Sequence, residues 1–228
     1  MPKKVLILGV AQVQLDAILE LKKMGYEVHA IAQNRDGKGA DYADFFEKIN
    51  FMDTEKTIEY IKSNNIDRVY SVGSDLAMPQ ACKISEILDL PRFVSEETAR
   101  ICNNKDLMRK TLGRNFNGNI DFQVLESIDD KIELNFPFIM KPSDAQGQRG
   151  IFVVNNIDEF EDNFKTALSY SRSGQVVIEQ FINGPEISVN CYMVDGKLRF
   201  IEASDRITWG KHISRKKALN FIERSLFL

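Results

Sequence analysis

Val5-Leu6-Ile7-Leu8-Gly9-Val10 is an unbroken apolar run near the N-terminus. A strand with one wet face alternates apolar and polar residues. A continuous run therefore implies a strand buried on both faces, as in a parallel sheet. The next residues keep to that plan. Leu15, Ile18, Leu19 and Leu21 mark one face of a helix, and Gly25 stands where such a helix ends. Glu27-Val28-His29-Ala30-Ile31-Ala32 reads as a second strand. Asp53 or Thr54 can cap a helix carrying Ile58 and Ile61. Arg68 to Val72 is the next strand and Leu76 to Leu88 the next helix. This alternation predicts a parallel sheet with right-handed crossovers that ends near residue 95.

The pattern then changes. Asn104 to Leu112 reads as a helix, and Asn115 to Asn119 is rich in turn formers. Phe122 to Glu126, Phe138 to Lys141 and Ile151 to Val154 read as antiparallel strands. Asp158 to Tyr170 is a helix with an acidic first turn, and Gln175 to Ile182 a strand. Glu186 to Val194 and Lys197 to Ile201 form a hairpin around Asp195-Gly196, a two-residue turn signal. The order is thus α/β followed by α+β, with a boundary around residues 95–103.

Composition narrows the partners. Thirty basic residues against 33 acidic ones give a formal charge of −3 over 228 residues, which points to neither nucleic acid nor an anionic membrane. The three cysteines, Cys82, Cys102 and Cys191, lack CxxC spacing and read as free thiols of a reducing, cytoplasmic compartment. The two histidines, His29 and His212, lie far apart, against a histidine-based zinc site. No apolar run reaches the roughly 18 residues that a membrane span requires.

Three segments carry the chemical signals. At Gly9 a dinucleotide fingerprint would need Gly-x-Gly-x-x-Gly, but Ala11 and Gln14 occupy the second and third glycine positions. An ordinary strand-to-helix turn is the better reading, although the loop can still border a substrate pocket. The second segment runs from Phe136 to Ile151. A buried strand delivers Lys141, and Ser143-Asp144-Ala145-Gln146-Gly147-Gln148-Arg149-Gly150 follows. A lysine at a strand end can set a positive charge on a phosphate, and glycines let backbone N–H groups close over its oxygens. The loop is not a Walker P-loop, and by itself it also reads as a plain hairpin loop. The third segment, Val176 to Val189, places Glu179 within an apolar strand and Glu186 after a Gly184-Pro185 turn. A carboxylate in such a strand is costly unless hydrogen-bonded. Adenine amino and ribose hydroxyl groups are suitable donors, but so is solvent at an edge strand.

Together these segments resemble the ATP-grasp superfamily, in the flavour of carbamoyl-phosphate-synthase-like and related carboxylate–amine ligases. The likeness extends to Ser74-Asp75-Leu76-Ala77-Met78-Pro79, Leu88-Asp89-Leu90-Pro91 and Asn104-Lys105-Asp106-Leu107-Met108-Arg109. It implies a Rossmann-like, parallel-sheet pre-ATP-grasp domain over residues 1–100. An incomplete ATP-grasp domain would occupy 101–228, with a small subdomain at about 101–175 and the start of a large one at about 176–228. It also implies roles. Lys105 would contact the α-phosphate and Lys141 the α- and β-phosphates. Ser143, Gln146, Gly147, Gln148, Arg149 and Gly150 would close over the β- and γ-phosphates. Glu179 would accept from the adenine amino group, with the backbone of Phe181 or Ile182 also bonding adenine. Glu186 would bind the ribose hydroxyls, and Asp75 is a weaker candidate on the acceptor side.

The implied reaction is attack of a small carboxylate on the γ-phosphate of ATP, giving an acyl phosphate that an amine then displaces. The implied cofactors are ATP and Mg²⁺. The family's late magnesium ligands, a Glu followed by Glu-x-Asn, have no counterpart after residue 201, where Glu202, Asp205 and Glu223 stand in other surroundings. Ser214 to Leu228 is basic and amphipathic, unlike the family's continuation. The alternative reading is therefore a nucleotide-binding subunit or truncated fragment without its own metal ligands. In that case a homodimer or a partner chain would supply the rest.

Overall fold

A computed structural model describes residues 2–145 and 147–205. It divides into two compact units, the first ending at Thr111 and the second starting at Leu112. The division falls inside the helix after the sequence boundary at 95–103, because the intervening helix packs on its predecessor in the first unit.

The first unit is built on a parallel sheet of four strands in the order β3-β2-β1-β4. The elements follow the chain as β1 (Lys4–Leu8), α1 (Gln12–Lys23), β2 (Glu27–Ala32), α2 (Gly39–Tyr42), β3 (Phe45–Lys48), α3 (Thr54–Asn64), β4 (Arg68–Tyr70), α4 (Ala77–Ile87), α5 (Glu96–Asn103) and α6 (Lys105–Leu112). The run that opened the sequence is the central strand. It alternates between two cores, as successive side chains of a strand must. Leu6 and Leu8 join Ile61, Val69, Ala81 and Ile84. Val5 and Ile7 join Ile18, Val28 and Ala30. Asp53 caps α3 by accepting from the Lys56 N–H, and Gly25 follows α1 with φ +84°, where a side chain would be strained.

The second unit holds a four-stranded antiparallel sheet in the order β5-β8-β6-β7. Its strands are β5 (Phe122–Leu125), β6 (Phe138–Pro142), β7 (Phe152–Val154) and β8 (Val176–Gln180), with α7 (Ile157–Ser169) between the last two. β8 pairs with both β5 and β6. The sheet therefore runs past residue 175, where the sequence placed the start of a further subdomain. An apolar strand such as Val176–Ile178 needs neighbours on both edges to satisfy its backbone. One face of the sheet packs on α7 through Phe138, Met140, Val154, Val176 and Ile178 against Phe160, Phe164 and Ala167. A two-stranded hairpin, β9 (Ile187–Val194) and β10 (Lys197–Asp205), turns at Asp195-Gly196, both with positive φ as that turn demands. Ile187, Tyr192, Met193, Phe200 and Ile201 are exposed on it.

Candidate functional site

Alternation on β6 and β8 decides which side chains face away from α7. Phe138, Met140 and Pro142 point into the α7 core, so Ile139 and Lys141 point the other way. On β8 the same rule turns Val177 and Glu179 to that second face. Register then brings the charges together. Lys141 stands opposite Val177 and Ile139 opposite Glu179, so lysine and glutamate are diagonal neighbours. Lys141 Nζ donates to Glu179 Oε2 at 2.6 Å. Their side chains are only 16% and 5% exposed. Removing two charges from water is costly, and only a short, well-aligned pair offsets it. The lysine thus sits at a strand end, held by a carboxylate on a face otherwise made of Ile139, Val153, Val177, Val124 and Phe122.

The loop starts directly after this lysine. Ser143 is fully buried, and its N–H donates to Gln175 C=O at 3.1 Å. Asp144 is also buried and is bound by Ser171 and Arg172. Gly147, Gln148 and Gly150 all have positive φ, +67°, +59° and +69°. Left-handed turn residues of this kind let successive backbone N–H groups gather around an anion. Gln148 and Arg149 are exposed, and Gln146 lies outside the described residues. Beyond β8, Phe181 is half-buried while Ile182 and Glu186 are exposed. Glu186 directly precedes β9. Lys105 is the first residue of α6 and belongs to the first unit.

Two weaker expectations are now specific. The Gly9 turn is filled by its own chain. Gln14 is buried; its Oε1 accepts from the Ala11 N–H at 3.0 Å and its Nε2 donates to Val72 C=O at 2.5 Å. The amide thereby occupies the approach to the turn. Asp75 does not cap α4; Ser74 Oγ accepts from the Ala77 N–H instead. Asp75 lies on a pocket of about 270 Å³ shared with Met78, Pro79, Phe93, Thr98 and Cys102.

Glu202 and Asp205 do not form a metal site. They stand opposite Asn190 and Ile187 on β10, and so face opposite sides of the hairpin. Among the described residues no group of three His, Cys, Asp or Glu side chains could hold a metal ion. Glu223 and the Ser214–Leu228 tail lie outside the described residues. Among the described residues, no helix is long and apolar enough to cross a membrane.

Sequence reasoning missed Asp144 and Arg172. Their contact joins residues 28 apart in the chain, and a Ser171-Arg172-Ser173-Gly174 turn carries no chemical signature of its own.

Residues 134–216 match the family model of the ATP-grasp domain. Formate-dependent phosphoribosylglycinamide formyltransferase of Prochlorococcus marinus is 27% identical over 189 residues, 80% of this chain and 48% of that protein. The chain therefore spans about half the length of the curated relatives it matches. The L-amino acid ligase of Bacillus licheniformis superposes with a TM-score of 0.74 at 19% identity, over 97% of this chain and 56% of that one. The N5-carboxyaminoimidazole synthetase of Staphylococcus aureus, complexed with ADP, gives 0.74 at 18% identity over 91% and 56%. These structures share the fold, a parallel-sheet unit followed by part of an ATP-grasp domain. The match covers the strand of Lys141, the loop after it and the strand of Glu179, and the comparisons together support the ATP-grasp superfamily for this part of the chain.

Proposed function

We propose that the second face of the β5–β8 sheet binds the nucleotide of an ATP-dependent ligase, one that joins a small carboxylate to an amine or similar nucleophile through an acyl phosphate. The observation that carries this reading is the buried Lys141–Glu179 pair beside a loop of left-handed residues. An apolar face suits a flat purine. A lysine at its edge neutralises phosphate charge at the point where Gly147 to Gly150 can offer N–H groups. In this reading Lys141 meets the α- and β-phosphates, with Glu179 Oε2 fixing its direction, and Glu179 also faces the adenine amino group. Phe181 and Ile182 contribute backbone to adenine, and Glu186 takes the ribose hydroxyls. Ser143, Gln146, Gln148 and Arg149 belong to the β- and γ-phosphate side, and Lys105 to the α-phosphate. Asp75 and its pocket serve the acceptor side. The carbamoyl-phosphate-synthase-like flavour, cytoplasmic residence, an ATP partner and a homodimer or completing chain all fit the same reading. Among the described residues no group of three His, Cys, Asp or Glu side chains gathers for the Mg²⁺ that the family reaction uses, so in this reading the nucleotide phosphates would supply much of its coordination.

Nucleotide-dependent stabilisation tests this. A ligand that binds only the folded state at about 100 times its Kd stabilises by about 2.7 kcal/mol. ADP and ATP are expected to raise the melting temperature, and Lys141→Ala to abolish the rise. Because Lys141→Ala also strips a cation from a buried carboxylate, exposed Glu186→Gln serves as the second variant; it leaves the Lys141–Glu179 pair in place and is expected to weaken binding, read as a smaller nucleotide shift relative to its own ligand-free melt. No response of the wild-type melt to millimolar-scale nucleotide overturns the assignment. Binding without ADP release across a panel of carboxylates and amines identifies the chain as the nucleotide-binding subunit instead.

A further inference from the structure

The base of the phosphate-side loop is tied to one place, the turn between α7 and β8. Arg172 N–H donates to Asp144 Oδ1 at 2.8 Å, and Arg172 Nε lies 3.4 Å from Asp144 Oδ2. The same guanidinium donates through a terminal nitrogen to the Asp144 carbonyl oxygen. Ser171 Oγ donates to Asp144 Oδ1 at 3.2 Å and accepts from the Gln175 N–H at 3.1 Å. The Gln175 carbonyl in turn accepts from the Ser143 N–H at 3.1 Å. The far end of the loop meets the same ground. A Cβ on Gly150 would stand 2.8 Å from the Tyr170 ring and 3.0 Å from Pro142, so backbone and ring are in close contact there.

We infer that Arg172 is a positioning residue for nucleotide binding, acting through Asp144 on the strand end that carries Lys141 and Ser143. The inference rests on the nucleotide reading above. Arg172 holds Asp144 by side chain and main chain at once, and two attachments fix an orientation where one fixes only a distance. Asp144 lies three residues after Lys141, and its side chain is 10% exposed while that of Arg172 is 48% exposed. The arginine can therefore be replaced without opening the core. Its planar fork reaches carboxylate and carbonyl together, which the single ammonium of a lysine does not.

The test uses the full chain and ADP as probe, with calorimetry for affinity and hydrogen exchange for the backbone. Arg172→Ala is expected to lower ADP affinity about tenfold, a loss of about 1.4 kcal/mol. It is also expected to speed exchange of the Ser143 amide in the nucleotide-free chain, while amides in the middle of β6 keep their protection. Arg172→Lys retains the charge but not the fork. Affinity well below wild type in Arg172→Lys supports positioning, and wild-type affinity there overturns it. Should Arg172→Ala fail to fold, the lysine variant decides alone. A wild-type chain that binds ADP beside an Arg172→Ala chain that binds it equally well overturns this inference and leaves the nucleotide reading standing. A wild-type chain that binds no ADP overturns both.

Discussion

The two four-stranded sheets bury polar groups in different ways. In the parallel sheet the buried positions of the two inner strands are apolar except for His29. That imidazole has no freedom to act. Its Nδ1 lies 2.9 Å from the Tyr60 hydroxyl, its Nε2 lies 3.0 Å from Glu27 Oε1, and its ring stacks on Phe45 at 4.6 Å. In the antiparallel sheet one face packs an apolar core beneath α7, and the other carries the Lys141–Glu179 pair where β6 ends. The first arrangement satisfies a buried polar group from its own surroundings and closes it off. The second places a buried cation at a strand terminus, next to a glycine loop. A strand end is where a side chain can be held rigidly by the sheet and still reach a ligand.

The largest expected effect tests whether the two sheets have separate cores. Phe138 is fully buried beneath α7, stacked on Phe136 at 4.8 Å and edge-on to Phe160 at 6.3 Å. Phe138→Ala removes a ring from a packed site and is expected to cost about 3–5 kcal/mol. The buried cluster around Phe138 shares no residue with those of the parallel sheet. Hydrogen exchange should therefore accelerate in β5–β8 and α7 while β1 and β2 keep their protection. Equal loss of protection in β1 and β2 would show that the two sheets unfold as one, and the comparison would fail.

A smaller effect belongs to the parallel sheet and to a contact the sequence did not advertise. Gly37 follows β2, and a Cβ there would stand 2.0 Å from the Val10 carbonyl oxygen and 2.9 Å from the Ala11 nitrogen. Both obstacles are backbone, so neither can swing aside. The Gly39 N–H then donates to that same Val10 carbonyl at 2.9 Å. Gly37→Ala is expected to cost about 1–3 kcal/mol by forcing the β1–α1 turn and the α2 approach apart. Urea unfolding measures it, and a change below about 0.5 kcal/mol would show that this turn yields more easily than its packing implies.

What was legible in the sequence follows from these contacts. The parallel strands were legible because burial on both faces writes itself as an apolar run. The Asp195-Gly196 hairpin was legible because its turn needs two left-handed residues. Lys141, Glu179 and the loop were legible as types at a spacing, and the register that joins them came only with the fold. β3 escaped because Phe45–Lys48 is short and mostly exposed, which leaves no period to read. α5 escaped because none of its residues is buried. Gly37 and Arg172 act through backbone and side-chain contacts far along the chain, and no local pattern encodes them.

The smallest effect probes the edge of the parallel sheet through pH. Asp44 precedes β3 and clips it to β2, since its N–H donates to Val28 C=O at 2.8 Å and its Oδ2 accepts from the Val28 N–H at 2.9 Å. Lys22 Nζ adds an ion pair to Oδ1 at 2.7 Å. Burial alone would raise the carboxyl's pKa, but the Lys22 hydrogen bond, the Val28 N–H and the Lys22 charge outweigh it, and the pKa falls below its ordinary 3.8. A carboxylate whose folded pKa is depressed binds protons more weakly in the folded state than in the unfolded one. Its contribution is therefore complete well above pH 3.8 and is lost as pH falls from 3.8 through the folded value. Asp44→Asn keeps an acceptor for Val28 and removes the charge. With side chains about a third exposed on both partners, the pair is expected to be worth no more than about 1 kcal/mol, and less in 1 M salt. The gap between wild type and Asp44→Asn in urea unfolding should be constant near neutrality and should close as pH drops below 3.8. A gap that persists undiminished at pH 3 would mean that the side chain acts by shape alone, and that this edge, unlike the Lys141–Glu179 face, owes nothing to its charge.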